Sequence, residues 1–288
     1  MVSSMKIKFW GTRGLISSPK KETAIYGGNT SCIQIVYKNH LILIDTGFGV
    51  TNFGEVLMDR ILKKNEELTI HIFFTHYHWD HIQGLPFFHP IYFPSTTLNL
   101  YSPLSSDLAM ENLDVLFDGS YSPFAGINSM PSTMIFHELN KSITIGDLKV
   151  DHTPLDHGWH EAPTFAYKFQ NSEESIVIAS DHEARKSDIN DRFIEFAHDC
   201  SLLVHDGQFS EKQYLDKKGW GHSSVNQALD NALASKAQMT LLTHHLPDHS
   251  DSDLNLLYEK YNNDDKYRNL NFAFAKESFL YNINPKKK

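Results

Sequence analysis

Cysteine is nearly absent from this chain: Cys32 and Cys200 are the only two among 288 residues. Two thiols without Cys-x-x-Cys spacing cannot build a disulfide framework, so they read as buried thiols of a protein kept in a reducing compartment. Long apolar runs are missing as well. None approaches bilayer-spanning length, and Met1-Val2-Ser3-Ser4-Met5-Lys6 lacks the apolar core of a signal peptide. The expectation is a cytoplasmic protein with no membrane partner. Positive charge is outweighed, since 26 Lys and Arg face 35 Asp and Glu for a net charge of -9. That balance disfavours a long nucleic acid as partner, while leaving room for a local basic patch. The tail Pro285-Lys286-Lys287-Lys288 reads as a solvated end. Hydrophobic residues make up 41% of the chain, which suits one domain over residues 1–288 with a sizeable core and two layers of sheet.

Histidine, by contrast, is plentiful, with 17 residues, and three of them fall in Thr75-His76-Tyr77-His78-Trp79-Asp80-His81. This stretch follows Thr69 to Phe74, an apolar, β-branched and aromatic run that reads as a buried strand. Side chains alternate along an extended segment, so His76 and His78 point the same way and can grip one ion together. Asp80 and His81, as the chain turns, face a second ion.

His-x-His-x-Asp-His after an apolar strand resembles the signature of the metallo-β-lactamase fold superfamily. The resemblance implies an αββα sandwich, two mixed sheets face to face with helices outside. It also assigns further residues. Asp45, after the hairpin Ser31 to Ile44, corresponds to a carboxylate that supports the metal loop by hydrogen bonds. Pro154-Leu155-Asp156-His157 resembles the third metal motif of the phosphodiesterase branch and makes His157 the third ligand of the first ion, with His152 and His160 as rivals. Asp181 ends the apolar run Ser175 to Ser180 where the family places a carboxylate shared by both ions, holding them ~3.5 to 4 Å apart. The adjacent His182 is not expected to ligate. His244 completes the ligand set of the second ion, with His245 as its rival. Asp80 counts both as ligand and among the catalytic groups.

Two stretches narrow the resemblance. His205-Asp206-Gly207-Gln208 resembles the His-Glu-Ala-Thr motif of the tRNA 3′-processing endonucleases, with Asp206 in place of Glu. Gly221-His222-Ser223-Ser224, ahead of a helix from Val225 to Lys236, resembles the loop whose histidine lies beside the scissile phosphate. By carry-over His222 is the proton donor and Asp206 its orienting partner.

The remaining chain reads as a scaffold. Met5 to Trp10 is a strand, and Gly11-Thr12-Arg13-Gly14 opens a loop in which Arg13 is more than a surface charge. Asn52 to Lys64 has helical spacing at Phe53, Val56, Leu57, Ile61 and Leu62. Ile82 to Phe88 begins a short helix with its positive end toward the site. Residues 102–132 include a helix near Asp107 to Leu116 and an aromatic segment through Phe117, Tyr121, Pro123 and Phe124, read as a lid or a subunit contact of a homodimer. Thr133 to Glu138, Ser142 to Asp151 and Thr164 to Gln170 are assigned to a second sheet. A helix spans Arg185 to Ala197, another Asp253 to Tyr261, and a strand from Asn271 to Tyr281 closes the chain.

Such a site implies two divalent ions, Zn2+ first on an imidazole and carboxylate set, with Mn2+ or Fe2+ also suited. A water held between them would ionise near pH ~7 and attack a phosphodiester. Only 23 residues separate His157 from Asp181, too few for the flexible arm that grips tRNA in the processing endonucleases. The overall pattern, including Gly11-Thr12-Arg13-Gly14, Tyr26-Gly27-Gly28-Asn29-Thr30 and His244-His245-x-Pro-x-His-Ser-Asp, resembles the bacterial small-molecule members of the superfamily, and this implies a small, cyclic phosphodiester as substrate, a cyclic nucleotide or cyclic ribose phosphate. A tRNA-processing ribonuclease, a di-iron oxygen-binding protein and a lactone or thioester hydrolase remain as alternatives; di-iron relatives typically carry Glu where this chain has His78.

Overall fold

The computed structural model describes residues 4–120, 122–139, 142–160 and 162–283. Residues Met1 to Ser3, Tyr121 and the tail Pro285 to Lys288, on which expectations above fell, lie outside them. The chain starts with β1 (Lys6–Gly11), then the hairpin of β2 (Cys32–Tyr37) and β3 (His40–Ile44). Helix α1 (Val50–Lys64) follows, and β4 (Leu68–Phe73) ends at the histidine-rich stretch, inside which α2 (Trp79–Ile82) begins. β5 (Thr96–Ser102), α3 (Ser106–Asp114) and β6 (Thr133–Glu138) complete this half.

The second half opens with β7 (Ile143–Ile145), β8 (Leu148–Pro154), β9 (Phe165–Gln170) and β10 (Ser175–Ala179). It continues through α4 (Asp188–Phe196), β11 (Leu202–Asp206), α5 (Glu211–Leu215), α6 (Val225–Ser235) and β12 (Thr240–Thr243). It closes with α7 (Asp251–Asn262), β13 (Phe272–Phe274) and β14 (Leu280–Asn282). Two seven-stranded sheets result, ordered β14-β1-β2-β3-β4-β5-β6 and β13-β12-β11-β10-β9-β8-β7.

The central strands are apolar on both faces because both faces are covered. Along β3, Ile42 and Ile44 enter the core between the sheets, where they meet Ile176, Ile178, Leu202 and Val204 of the second sheet. Leu41 and Leu43 point the other way and pack with Phe53, Leu57 and Ile61 of α1. The second sheet repeats this division: Val177, Ala179 and Leu203 pack with Phe193 of α4 and Ala232 of α6. The sandwich is therefore αββα, helices outside and sheets inside. No helix among the described residues is long and apolar enough to cross a membrane.

Some sequence expectations shift. Val56 and Leu62 of α1 face solvent, 58% and 62% exposed, so the buried stripe is narrower than the apolar spacing implied. β6 pairs in parallel with β5 and belongs to the first sheet, not the second. Ser142 to Asp151 is a hairpin folded at Gly146, whose φ is +61°. The last strand is two: β13 ends the second sheet, the polar Lys276-Glu277-Ser278 turn carries the chain across, and β14 edges the first. The helix expected at Ile82 starts one turn earlier, at Trp79, directly after His78. Apolar alternation identifies a strand but not the sheet it joins. Residues Leu113, Leu116, Phe117 and Ile127 of the 102–132 segment lie in the core outside the first sheet.

Candidate metal centre

Strands β3, β4, β10, β11 and β12 run in parallel sets, and each delivers a polar residue just past its carboxyl end. In open sheets that end is where ligands collect. Thr75 to His81 is met there by Asp45, Asp181 and His244 from the neighbouring strand ends. Asp45, Asp181 and His244 take left-handed backbone angles, with φ of 60°, 59° and 59°. Such conformations are costly outside glycine and concentrate at functional sites.

Two sets of side chains converge. His76, His78, His157 and Asp181 form one, and Asp80, His81 and His244 the other, the candidate ligand atoms within each lying within 4.8 Å of one another. Asp181 links them. Its Oδ1 lies 3.8 Å from Nε2 of both His76 and His157, while Oδ2 lies 3.1 Å from His81 Nε2 and 3.4 Å from His244 Nε2. Asp80 Oδ2 is 3.1 Å from His244 Nε2 and is held by the Leu15 backbone N–H at 2.7 Å.

Hydrogen bonds behind the rings decide which nitrogens are free. Asp45 accepts from the Thr75 N–H and hydroxyl at 2.8 and 2.9 Å, and from His81 Nδ1–H at 2.7 Å. With its proton engaged there, the Thr75 oxygen can accept from His76 Nδ1–H at 3.0 Å. His157 Nδ1–H donates to the Gly221 carbonyl at 2.9 Å. Each ring thereby turns its Nε2 inward. Gln208 faces His244 Nδ1 at 3.0 Å while its own Oε1 is buried without a partner. Turning the amide so that its oxygen accepts from Nδ1–H satisfies both groups and frees His244 Nε2.

The electrostatics suit cations. Burial keeps His76 and His78 below the usual imidazole range and His157 down at about 3, so all three are neutral donors. Around His81 and His244 burial acts in the same sense but loses to the carboxylates: Asp181, Asp80 and Asp45 raise His81, and Asp181 and Asp80 raise His244 to about 9. Protons thus stand where positive charge is wanted. His76 Nε2 is fully buried with no hydrogen-bond partner, and His157 Nε2 and His78 Nδ1 lie 3.1 Å apart, sharing one proton in a place that a cation would take. The donor set, all imidazole and carboxylate, fits a dinuclear metal site.

Beside it, His222 Nδ1–H donates to Asp206 Oδ2 at 2.7 Å, and Asp206 Oδ1 accepts from the Gln208 N–H at 2.9 Å. Both side chains are buried. His222 also approaches Asp181 Oδ1 at 3.7 Å. Its loop is pinned by Glu183, which accepts from the N–H groups of Gly219 and Gly221 at 2.8 and 3.1 Å. Gly221 has a φ of +84°, and a Cβ there would fall 2.3 Å from His157 Nδ1.

Of the rivals named from sequence, His245 turns away and donates from Nε2 to the Ala275 carbonyl at 2.9 Å and His152 stacks on Phe165, while His182, not expected to ligate, bonds Asn190. His160 stays close, its ring 4.6 Å from those of His78 and His157. Arg13 is fully buried and donates to the carbonyls of Gly27, Leu246 and His249, tying together the loops beneath His244. Glu183 and the Leu15 N–H carry no sequence signal of their own, and Gln208, though part of the stretch read at 205–208, is brought to His244 only by the folded chain.

Comparison with known proteins agrees with this architecture. Residues 40–245 match the family described as beta-lactamase superfamily domain. Ribonuclease Z of Archaeoglobus fulgidus is 24% identical over 282 residues, covering 83% of this chain and 86% of that protein. Among solved structures, the metallo-beta-lactamase fold protein YhfI of Bacillus subtilis aligns with a TM-score of 0.66 at 17% identity, over 97% of this chain and 99% of that one. A diphosphatase of the PhnP family aligns with a TM-score of 0.65 at 18% identity, over 99% and 100%. A family match across most of the chain, on a fold that gathers these donors at one end of both sheets, leads to one conclusion: the chain belongs to the beta-lactamase superfamily and is a metal-dependent hydrolase of the metallo-β-lactamase fold.

Proposed function

We propose that the protein hydrolyses a small phosphodiester, a cyclic nucleotide or cyclic ribose phosphate, at a dinuclear centre of Zn2+, with Mn2+ or Fe2+ accepted by the same donors. His76, His78 and His157 would hold one ion, Asp80, His81 and His244 the other, with Asp181 shared. When bound, the ions supply Lewis acidity and a water that ionises near neutral pH. Asp45 and Gln208 keep the ring nitrogens aimed inward. The observation that carries the reading is the buried His222–Asp206 pair at 2.7 Å, set against the metal donors. A departing alkoxide needs a proton, and Asp206 holds His222 in the tautomer and orientation from which its other nitrogen can exchange one with the leaving oxygen. Asp181 at the shared position, rather than a thiolate, supports phosphoester over antibiotic hydrolysis.

Ribonuclease Z relatives favour a second reading, cleavage of a tRNA precursor. Against it, the stretch from His157 to Asp181 is taken up by β9 and β10, and the chain is acidic. Metal analysis combined with a turnover screen decides. The enzyme is given bis-p-nitrophenyl phosphate, 2′,3′- and 3′,5′-cyclic nucleotides, a lactone and a 3′-extended tRNA precursor. Preference for a cyclic phosphodiester is expected; turnover confined to the precursor or the lactone would overturn the reading.

A further inference from the structure

The chain contains four tryptophans. Trp10 is buried, but Trp79, Trp159 and Trp220 are 60%, 74% and 46% exposed. Each exposed ring neighbours a residue of the centre in sequence: Trp79 lies between His78 and Asp80, Trp159 two residues after His157, and Trp220 two before His222. Scattered exposed apolar side chains need no explanation, whereas a ring held beside a candidate metal centre is placed to meet its ligand, and Trp159 is such a ring.

Trp159 is the most exposed of them, yet hydrogen bonds hold the loop that carries it. Arg185 grips the Asp156 carboxylate with two hydrogen bonds at 2.6 and 2.9 Å, and the Gly158 N–H bonds the same carboxylate at 3.2 Å. The Trp159 N–H donates to the Gly219 carbonyl at 3.1 Å, and the indole lies against Gly219, where even a Cβ would come within 2.4 Å of the ring. His160 follows, its ring 4.6 Å from His78 and His157. The loop thus presents a flat apolar ring to solvent beside the donors, against Gly219 of the loop that carries His222.

We propose that Trp159 is the stacking platform for the nucleobase of a base-bearing phosphodiester whose phosphate lies at the metal centre, making Trp159 a specificity-determining residue. The inference rests on the phosphodiester reading above and narrows the substrate to nucleotides. A base suits the platform because it is flat and uncharged, so an acidic protein can hold it by stacking without a basic groove. A pre-anchored ring also loses little freedom on binding.

The test compares adenosine 2′,3′-cyclic phosphate with the abasic methyl ribofuranoside 2,3-cyclic phosphate on the metal-loaded enzyme. Base stacking on an aromatic side chain corresponds to about 5- to 100-fold in affinity. Trp159→Ala should therefore raise KM for the adenosine substrate by about that factor relative to the abasic one, with a much smaller change in kcat, and Trp159→Phe should recover most of it. Binding is measured separately by tryptophan fluorescence: AMP should quench the wild type saturably, ribose 5-phosphate should not, and Trp159→Ala should weaken AMP. A short oligoribonucleotide in the same titration tells a free nucleotide from a chain end, and either binding with loss in Trp159→Ala supports the stack. Equal losses on the two cyclic substrates, or unchanged AMP binding in Trp159→Ala, would overturn it. So would a Trp159→Ala variant that turns a dimer into a monomer with KM unaltered, since the ring would then cover a second copy of the chain. If the wild type turns over neither cyclic ester, the wider turnover screen above decides the phosphodiester reading, and the fluorescence titration still decides the stack.

Discussion

Replacing His222 by alanine separates proton delivery from every other role the ring could have. The imidazole is 5% exposed and its Nδ1–H bonds Asp206 at 2.7 Å, so the removal leaves a small cavity and a buried carboxylate short of one donor. The stability cost should be about 1 to 3 kcal/mol, which leaves the enzyme folded at assay temperature. On catalysis the effect should depend on the leaving group. A cyclic ribose phosphate expels a strongly basic alkoxide, and loss of a positioned acid should lower kcat/KM by about 10² to 10⁴, or about 2.7 to 5.5 kcal/mol in the barrier. Expulsion of p-nitrophenolate needs little protonation, and the loss there should stay within about tenfold. Steady-state kinetics on both substrates, with metal content measured on the same samples, give the comparison. Asp206→Ala should follow the same pattern more weakly and add little to His222→Ala, because residues acting as a unit are not additive. Equal losses on the two esters with metals retained would refute proton transfer and leave His222 as a phosphate-binding group. Loss of metal would instead make it a ligand, a role its 3.7 Å distance from Asp181 allows.

Asp181→Asn keeps the shape and tolerates the left-handed backbone but halves the donor power toward both trios; metal analysis should show the loss of roughly one ion from an expected two, and full occupancy with normal rates would remove Asp181 from the shared position. Arg13→Lys should destabilise by about 3 kcal/mol or more in urea unfolding, since a single ammonium cannot reach the three carbonyls that the guanidinium bonds and charged hydrogen bonds contribute about 1.5 to 3 kcal/mol each. Burial pushes Glu277 up to about 7, against the pull of its hydrogen bonds from Asn29 and the charge of Arg13. Its folded pKa exceeds the unfolded one, so the unfolded chain ionises first and stability falls as pH rises from about 4.5 to 7, by at most about 3 kcal/mol. Melting of Glu277→Gln relative to wild type should accordingly improve between pH 5 and pH 8, and parallel curves would show that Glu277 ionises normally.

Much of the centre could be read in advance because its donors sit at strand ends, where an apolar run stops at a polar residue. Ile176 to Ser180 followed by Asp181, and Thr69 to Phe74 followed by His76, carry that signal in one dimension. His244 against His245 could not be resolved the same way. Period-two alternation holds only while the backbone stays extended, and the left-handed φ of 59° at His244 breaks it at the residue in question. Gln208 and Glu183 act across elements far apart in sequence, so no local pattern announces them. The sheet joined by β6 is likewise a tertiary fact: its alternation is satisfied equally by either layer.

Asp45, Asp181 and His244 occupy a backbone region that glycine enters freely and other residues enter at a cost, least for Asp. Some backbone stability is thus given up to place these side chains. In any descendant released from turnover, glycine at these three corners would be gained by drift toward stability, long before the sandwich itself eroded. A sequence bearing the same strands with glycines at all three would be the mark of a retired enzyme, and the side chains kept here at that cost are the reverse.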